Sequence, residues 1–224
     1  MSLRRIGAIG DIHTEDERLA AALAHLRARG VEKILSVGDI ADGRGDINRC
    51  CALLDAPDVI AVRGNHDRWL LANDMRVLRD AQTLTDLVPT ARRFLGSLTP
   101  TYVLSTIAGD LLLCHAVGND DMVRLHEDDD GYALTSNDAL QKVLVSGVPF
   151  MVCGHTHHPM VRALSGLTVI NAGTLHRDFA PCFCEIDFEH RAVQFFDLED
   201  PHAIRDSLRF TFGAPGQDIW GGGS

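Results

Sequence analysis

The sequence predicts an α/β fold in which the first half alternates strands with helices around a parallel sheet. Three apolar runs, at residues 6–9, 34–37 and 59–62, have the length and composition of buried strands. Segments with helical spacing lie between them, which gives the βαβαβ order of a parallel sheet. The chain has 224 residues and is 46% hydrophobic, so it can form one large domain or two small ones with a proper core.

The first half of the chain carries start and stop signals for its helices. Thr14-Glu15-Asp16-Glu17 predicts a capping box at the start of the first helix, and Gly30 ends that helix. The elements expected after it are a strand at 31–37, a helix at 47–54, a strand at 57–63 and a mostly helical stretch at 68–98 interrupted at Pro89. This order predicts that the three strands run parallel.

The second half of the chain predicts a second, antiparallel-leaning sheet. Ala108-Gly109-Asp110 separates two apolar runs and predicts a hairpin. A polar insertion follows at 116–135, and its acidic run at 127–130 is typical of a solvated loop. Ser136 is expected to cap a helix that runs to Val145. The strands expected in this half are 101–107, 111–114, 148–153, 160–164, 167–171, 182–188 and 192–198.

Charge and cysteine content limit the class of protein. A formal net charge of −10 argues against a basic surface for a nucleic-acid polymer or an anionic membrane. No apolar run approaches the roughly 20 residues that a membrane span needs. The six cysteines have no CxxC spacing, which suits buried thiols in a reducing cytoplasm. We expect a cytoplasmic protein with one domain over residues 1–200. The stretch 201–224 is rich in Gly and Pro, and a tail of that composition is usually mobile. Docking on the chain's own domain or on a second subunit are both open, so a homo-oligomer stays open.

Polar side chains follow five apolar runs at the point where each run ends. Strand ends that meet at one edge of an open α/β sheet form the usual ligand site of such folds, so we expect these groups to lie together. The five motifs are Asp11-Ile12-His13, Gly38-Asp39-Ile40-Ala41-Asp42, Gly64-Asn65-His66-Asp67, His115 and Gly154-His155-Thr156-His157.

The donors in these motifs are nitrogen and oxygen atoms, with no thiolate among them. Such a set suits Mn, Fe, Ni or Zn, and we expect two divalent ions per chain, with Mn favoured. Two ions about 3.5–4 Å apart can hold a phosphoryl oxygen and turn a bridging water into a nucleophile near neutral pH. The seven candidate metal ligands are Asp11, His13, Asp39, Asn65, His115, His155 and His157.

Taken in order, these five motifs resemble those of calcineurin-like metallophosphoesterases, from residue 6 to about residue 171. The resemblance implies a four-layer αββα sandwich of two mixed sheets flanked by helices, with residues 1–200 as the metallophosphoesterase domain. The segment Asn171-Ala172-Gly173-Thr174 resembles the Asn-Pro-Gly-Ser turn of small bacterial phosphodiesterases, with the proline replaced. That turn and the short chain point to the small single-domain bacterial branch of the family.

The resemblance also implies a role for each site residue. His66 is the catalytic histidine, which stabilises the phosphoryl oxygens or protonates the leaving group. Asp67 is expected to orient the imidazole of His66. One ion would be held by Asp11, His13 and His157, the other by Asn65, His115 and His155, with Asp39 bridging the two.

The candidates for holding the rest of the substrate are Arg44, Arg68 and His158. The family's second motif commonly continues Asp-Arg-Gly, whereas here Arg44 comes one place late, after Asp42-Gly43. Arg68 either faces substrate or begins a helix, and His158 either lines the substrate side or faces solvent. His176 has the same two alternatives.

The sequence therefore predicts a dimetal-dependent phosphoesterase whose partner is a small phosphoester. A diester is favoured, attacked by a metal-bridging hydroxide with His66 as general acid. The alternatives are a phosphomonoesterase or phosphoprotein phosphatase, and a non-catalytic scaffold such as the retromer subunit that resembles this family. Every ligand position and His66 are filled here, which favours the enzyme.

Overall fold

The structure is a computed structural model that describes residues 2–213. Within these residues the six α-helices are α1 (Asp16–Ala28), α2 (Ile47–Leu54), α3 (Asn65–Ala72), α4 (Pro89–Ser97), α5 (Gly131–Thr135) and α6 (Asp138–Ser146). The eleven strands are β1 (Arg5–Ile9), β2 (Lys33–Ser36), β3 (Val59–Ala61), β4 (Thr101–Thr106), β5 (Gly109–Cys114), β6 (Phe150–Cys153), β7 (Met160–Leu164), β8 (Leu167–Asn171), β9 (Cys182–Asp187), β10 (Ala192–Asp197) and β11 (Arg205–Thr211).

The first sheet has six strands in the order β11-β10-β9-β1-β2-β3. Strands β1, β2 and β3 pair in parallel, with Ile34 of β2 between Gly7 of β1 and Val59 of β3. Helices α1 and α2 connect these strands, so the predicted βαβαβ half is confirmed. On the other side of β1, strands β9, β10 and β11 pair antiparallel.

The second sheet has five strands in the order β4-β5-β6-β8-β7 and is mixed rather than antiparallel-leaning. Its three central strands, β5, β6 and β8, are parallel, whereas β4 and β7 pair antiparallel at the edges. The predicted pair β9 and β10 does form, but it joins the first sheet beside β1. Alternating hydrophobicity identifies neighbouring strands along the chain and carries no signal for the sheet that they join.

Three apolar clusters separate four layers. The first cluster joins α1, α2, α3 and α4 to the outer face of the six-stranded sheet, and it includes Leu23 and Ile34. The second lies between the two sheets, where Leu35 and Val152 belong to one cluster. The third packs Val143 of α6 against the outer face of the five-stranded sheet. The predicted four-layer αββα sandwich of two mixed sheets flanked by helices is confirmed.

Three helix predictions need correction. Ser136 does not cap α6, because the N-cap is Asn137, whose Oδ1 accepts from the backbone N–H of Leu140 at 2.9 Å. The capping box at the start of α1 is wrong, because Thr14 has a left-handed φ of 57° and its Oγ1 accepts a hydrogen bond from Gly45. Residue Glu15 is the N-cap and makes no side-chain cap bond. The stretch at 68–98 is not one interrupted helix: α3 begins earlier, within the central motif, and Pro89 opens α4 at the first helical turn, where a missing N–H costs nothing.

Part of the predicted C-terminal tail belongs to the six-stranded sheet. Strand β11 pairs antiparallel with β10, and Phe212 is buried with its ring 5.5 Å from that of Phe150. Residues up to 213 therefore dock on the chain's own domain, while residues 214–224 of the predicted tail lie outside the described residues. Within residues 2–213, no helix combines the length and the apolar composition that a membrane span requires.

Candidate metal centre

The predicted ligands come together where the parallel strands of both sheets end. Asp11 and His13 follow β1, Asp39 follows β2, and Asn65 opens α3 after β3. In the second sheet, His115 follows β5, and the His155 and His157 loop follows β6. Three sets of donor atoms lie within 4.8 Å of one another: Asp11 with His13 and His157, His13 with Asp39 and His66, and Asp39 with His115 and His155.

The first group consists of Asp11, His13 and His157. The Nδ1 of His13 donates to the backbone oxygens of Ala41 and Asp42, at 3.1 and 2.9 Å, so the lone pair of this imidazole is on Nε2. That Nε2 lies 3.2 Å from Nε2 of His157. Burial lowers the pKa of His13 to about 4 and that of His157 to about 3, so both rings are neutral, as cation ligands must be.

The second group consists of Asn65, His115 and His155. The Nδ1 of His115 donates to the Val37 carbonyl at 2.9 Å, and its Nε2 lies 2.9 Å from Oδ1 of Asn65. The Nε2 of His155 donates to the Met122 carbonyl at 3.1 Å, which leaves the lone pair of this ring on Nδ1. Backbone carbonyls thus fix the tautomer of these rings, as the partners of metal-binding histidines usually do.

Asp39 lies between the two groups. Its Oδ2 is 3.3 Å from Nε2 of His115, and its Oδ1 accepts from the backbone N–H of His66 at 2.9 Å. Burial opposes ionisation, but His115 outweighs it and holds the pKa of Asp39 well below its usual range. Gly64 makes the close approach possible, because a Cβ at that position would overlap Oδ1 of Asp39. This carboxylate is therefore placed to be shared.

The arrangement fits bound divalent cations. With its Nδ1–H donated to a carbonyl, neutral His115 directs the Nε2 lone pair at oxygens of Asn65 and Asp39, which is repulsive. Burial alone would lower the pKa of His115, yet Asp39 and Asp11 raise it to about 10, since a proton relieves that repulsion. Burial also raises the pKa of Asp11 to about 7. A cation relieves the same repulsions, and the set of imidazole and carboxylate donors suits Mn, Fe or Zn.

Several site residues have left-handed backbone conformations. His13, Asp39, His155 and His157 have φ values of 45°, 46°, 68° and 63°. Each such conformation in a residue other than glycine costs on the order of 1–3 kcal/mol and is typical of functional sites. The loops after β1, β2 and β6 are thus held in shapes that turn these side chains toward one another.

The Asn171 turn supports the loop that carries His155 and His157. Asn171 is buried, and its Nδ2 donates to the Gly154 carbonyl at 2.8 Å and to Thr156 Oγ1 at 3.0 Å. Its Oδ1 accepts from the backbone N–H of Gly173 at 2.9 Å, which closes the turn. The residue that resembles the family's turn asparagine therefore supports the loop of two predicted ligands.

His66 has one nitrogen engaged and one directed into the site. Its Nδ1 lies 2.8 Å from Oδ2 of Asp42, and its Nε2 lies 4.0 Å from Oδ2 of Asp39. The side chain is 22% exposed, whereas that of Asp39 is 2% exposed. Burial opposes protonation, but the hydrogen bond that His66 donates to Asp42 and the charge of Asp39 raise the pKa of His66. This imidazole is partly exposed, as are those of His155 and His157.

Asp67 does not orient the imidazole, which corrects the prediction. Its carboxylate is fully buried and accepts from the backbone N–H groups of Ile40, Ala41 and Gly64 at 2.9, 3.0 and 3.0 Å. Consecutive residues of a helix point in different directions, so a neighbour in sequence is not a neighbour of the side chain. Asp67 fixes the loop after β2 to the start of α3, and Asp42 is the partner of His66.

The substrate-binding candidates lie around the centre with other partners. Arg44 pairs with Asp80 at 3.0 Å and Asp178 at 3.1 Å, and Arg68 forms two bonds with Asp121, at 2.7 and 2.9 Å. His158 is exposed. Both arginines therefore need to exchange or share a carboxylate before they can hold an anionic group.

Sequence reasoning missed Phe179 and Arg76, which lie on two sides of the centre. On one side, Phe179 packs 4.5 Å from the ring of His157. Beside it, the ring of His176 lies 5.0 Å from that of His13, so His176 takes the site-facing one of its two predicted alternatives. On the other side, the guanidinium of Arg76 pairs with Asp42 at 2.8 Å. No motif marks Arg76, since it lies in the irregular segment between α3 and α4.

Comparison with known proteins shows the family. Residues 5–190 match the Calcineurin-like phosphoesterase superfamily domain. Uncharacterized protein MJ0912 of Methanocaldococcus jannaschii is 36% identical over 69 residues, which span 31% of this chain and 28% of that protein. A metallophosphoesterase from Sphaerobacter thermophilus shares the fold with a TM-score of 0.65 at 21% identity, over 88% of this chain and 89% of that one. A novel archaeal phosphodiesterase shares it with a TM-score of 0.57 at 16% identity, over 87% and 99%. Because the family match spans most of its length, the chain belongs to the calcineurin-like phosphoesterase superfamily.

Proposed function

We propose that this chain is a dimetal-dependent phosphoesterase that hydrolyses a small phosphodiester. The observation that supports the proposal is the position of Asp39, whose carboxylate lies within 4.8 Å of His13 in one donor group and of His115 and His155 in the other. His66 lies beside it, with its Nε2 4.0 Å from Oδ2 of Asp39. Family and fold support a phosphoesterase hydrolase. The family also includes non-catalytic members. In this chain all seven donor positions and His66 are filled, which favours an enzyme over an interaction scaffold.

The proposed ligand sets follow the two groups of donors. Asp11, His13 and His157 would hold one divalent ion, Asn65, His115 and His155 the other, and Asp39 would be shared. Bound ions, with Mn favoured, supply charge stabilisation for a phosphoryl group and lower the pKa of water.

The side chain of His66 supplies the proton in this proposal. Its Nδ1–H is donated to Asp42, which fixes the ring and leaves Nε2 as the only nitrogen that can reach a leaving oxygen. The raised pKa of His66 favours the imidazolium, the form that has a proton on Nε2 to give. Asp42 keeps the ring in this orientation and stabilises its positive charge, as an acid paired with a catalytic histidine does.

A small diester agrees with the charge of the chain. Long nucleic acids bind through many basic contacts, and a net charge of −10 opposes them, whereas a small diester carries one negative charge. A diester also has a second substituent on its phosphate, and Arg44, Arg68 and His158 could hold that substituent. One structural neighbour is described as an archaeal phosphodiesterase, which supports the same choice. A phosphomonoesterase or phosphoprotein phosphatase is the second candidate.

The test compares a diester with a monoester on the same protein sample. We expect Mn-loaded protein to hydrolyse bis(p-nitrophenyl) phosphate with a higher kcat/KM than p-nitrophenyl phosphate. The matched control is Asp39→Asn, prepared in the same way, which should lose both activities and so exclude a contaminating phosphatase. A clear preference for the monoester would overturn the diester assignment, and no turnover of either compound would favour the scaffold.

A further inference from the structure

Arg76 forms an ion pair with the carboxylate of Asp42, which faces His66. Its Nη1 lies 2.8 Å from Oδ1 of Asp42 and its Nη2 lies 3.2 Å from Oδ2, which is a two-point contact. The guanidinium is itself fixed, because Nε donates to the Asp74 carbonyl at 2.6 Å and Nη1 to the Gln82 carbonyl at 2.8 Å. The side chain is only 15% exposed. Two-point arginine–carboxylate pairs of this kind add geometric specificity as well as energy.

The orientation of the Asp42 carboxylate depends on its contacts with Arg76 and Gln82. Its side chain is 2% exposed and its backbone is left-handed, with φ at 65°. Besides Arg76, the carboxylate accepts from the backbone N–H of Gln82 at 3.0 Å and meets Nδ1 of His66 at 2.8 Å. The imidazole contact therefore uses one oxygen of a carboxylate whose plane is set by the segment between α3 and α4.

We propose that Arg76 is a positioning residue for proton donation, acting through Asp42 on His66. It holds the carboxylate so that the Nδ1–H of His66 is donated and Nε2 stays aimed at the leaving oxygen. The inference rests on the proposed phosphoesterase function. A purely structural role, in which Arg76 only ties its own segment to the domain, predicts a uniform loss of activity. A positioning role predicts a loss that depends on how much protonation the leaving group needs.

The experiment uses Arg76→Met, which keeps length and removes the charge and the donors. Its matched control is Arg79→Met in the same segment, where the side chain is 81% exposed and pairs with Asp80 at 3.6 Å. Diphenyl phosphate, with a basic leaving group, should lose roughly 10-fold or more in kcat, a part of the roughly 10²–10⁴ that a positioned acid contributes. Bis(p-nitrophenyl) phosphate should lose much less, KM should stay constant, and Arg76→Lys should recover part of the loss.

A second readout does not depend on turnover. In a ¹⁵N histidine spectrum of Zn-loaded protein, we expect the Nδ1–H signal of His66 to persist in Arg79→Met and to be lost or broadened in Arg76→Met. An unchanged signal, or equal losses for the two diesters, would overturn the positioning role. If Arg76→Met does not fold, Arg76→Lys makes the same comparison, because one ammonium cannot grip both oxygens. Should the wild type hydrolyse no phosphoester, the proposed function fails while the spectrum still decides the role of Arg76.

Discussion

Replacing His66 by alanine separates metal binding from proton transfer. In the structure Nδ1 of His66 is engaged by Asp42 at 2.8 Å, and Nε2 lies 4.0 Å from the nearest oxygen of Asp39. The six donors of the two groups, and Asp39 between them, stay in place without this ring. We therefore expect His66→Ala to bind the same number of ions as the wild type and to lose turnover.

The expected loss follows from the role of the missing proton. A positioned general acid contributes about 10²–10⁴ in rate, which is about 3–6 kcal/mol at roughly 1.4 kcal/mol per factor of ten. The upper end is expected for diphenyl phosphate and the lower end for bis(p-nitrophenyl) phosphate, because nitrophenolate leaves without much protonation. The assay measures kcat for both substrates and the metal content of the same Mn-loaded samples.

A control and a clear refutation accompany this test. His190→Ala removes an exposed histidine that pairs with Asp187 at 2.9 Å, and it should change neither metal content nor kcat. Loss of an ion in His66→Ala would show that His66 is a ligand, an arrangement that its grouping with His13 and Asp39 allows. Equal losses for the two substrates would refute the role of His66 as an acid.

Three further predictions concern ligands, packing and pH. Asp39→Ala should weaken both ions, measured by elemental analysis after reloading, because it removes a shared ligand. Gly154→Ala should lower metal affinity roughly 10-fold or more, since the new Cβ would lie 2.6 Å from Oδ2 of Asp11. The control is Gly96→Ala, which should leave metal affinity unchanged because the space around Gly96 is open. Burial alone would raise the pKa of Glu15, but ion pairs with two arginines lower it below its ordinary value of about 4.5. The ionised carboxylate therefore stabilises the folded protein fully above the unfolded pKa, and this stabilisation is lost as pH falls through the folded pKa. Melting of Glu15→Gln should accordingly change less between pH 6 and 3, on the order of a few degrees.

Apolar runs and the polar motifs at their ends were sufficient to predict most of the fold and of the candidate site. Helix α2 and strands β7 and β8 have the predicted bounds, because apolar runs flanked by polar turns are local signals. Polar residues at the ends of parallel strands meet at one edge wherever such strands share a sheet, so the candidate ligands could be found together without knowing their distances.

Contacts between distant segments could not be predicted in this way. Strand β11 lies in a stretch whose Gly and Pro content resembles a loose tail, and it is ordered by pairing with β10. Adjacency in sequence favoured Asp67 as the partner of His66, whereas the left-handed backbone at Asp42 brings that carboxylate to the ring. Arg76 has no sequence signal at all, since its role depends on the path of an irregular segment.

One titration tests the central claim most directly. Metal-free protein at known concentration is titrated with Mn while the hydrolysis of bis(p-nitrophenyl) phosphate is followed. Two donor groups with Asp39 between them predict that turnover rises until about two equivalents are bound and then stays constant. A plateau at one equivalent would contradict the shared-carboxylate centre, and no turnover at any Mn concentration would contradict the phosphodiesterase itself.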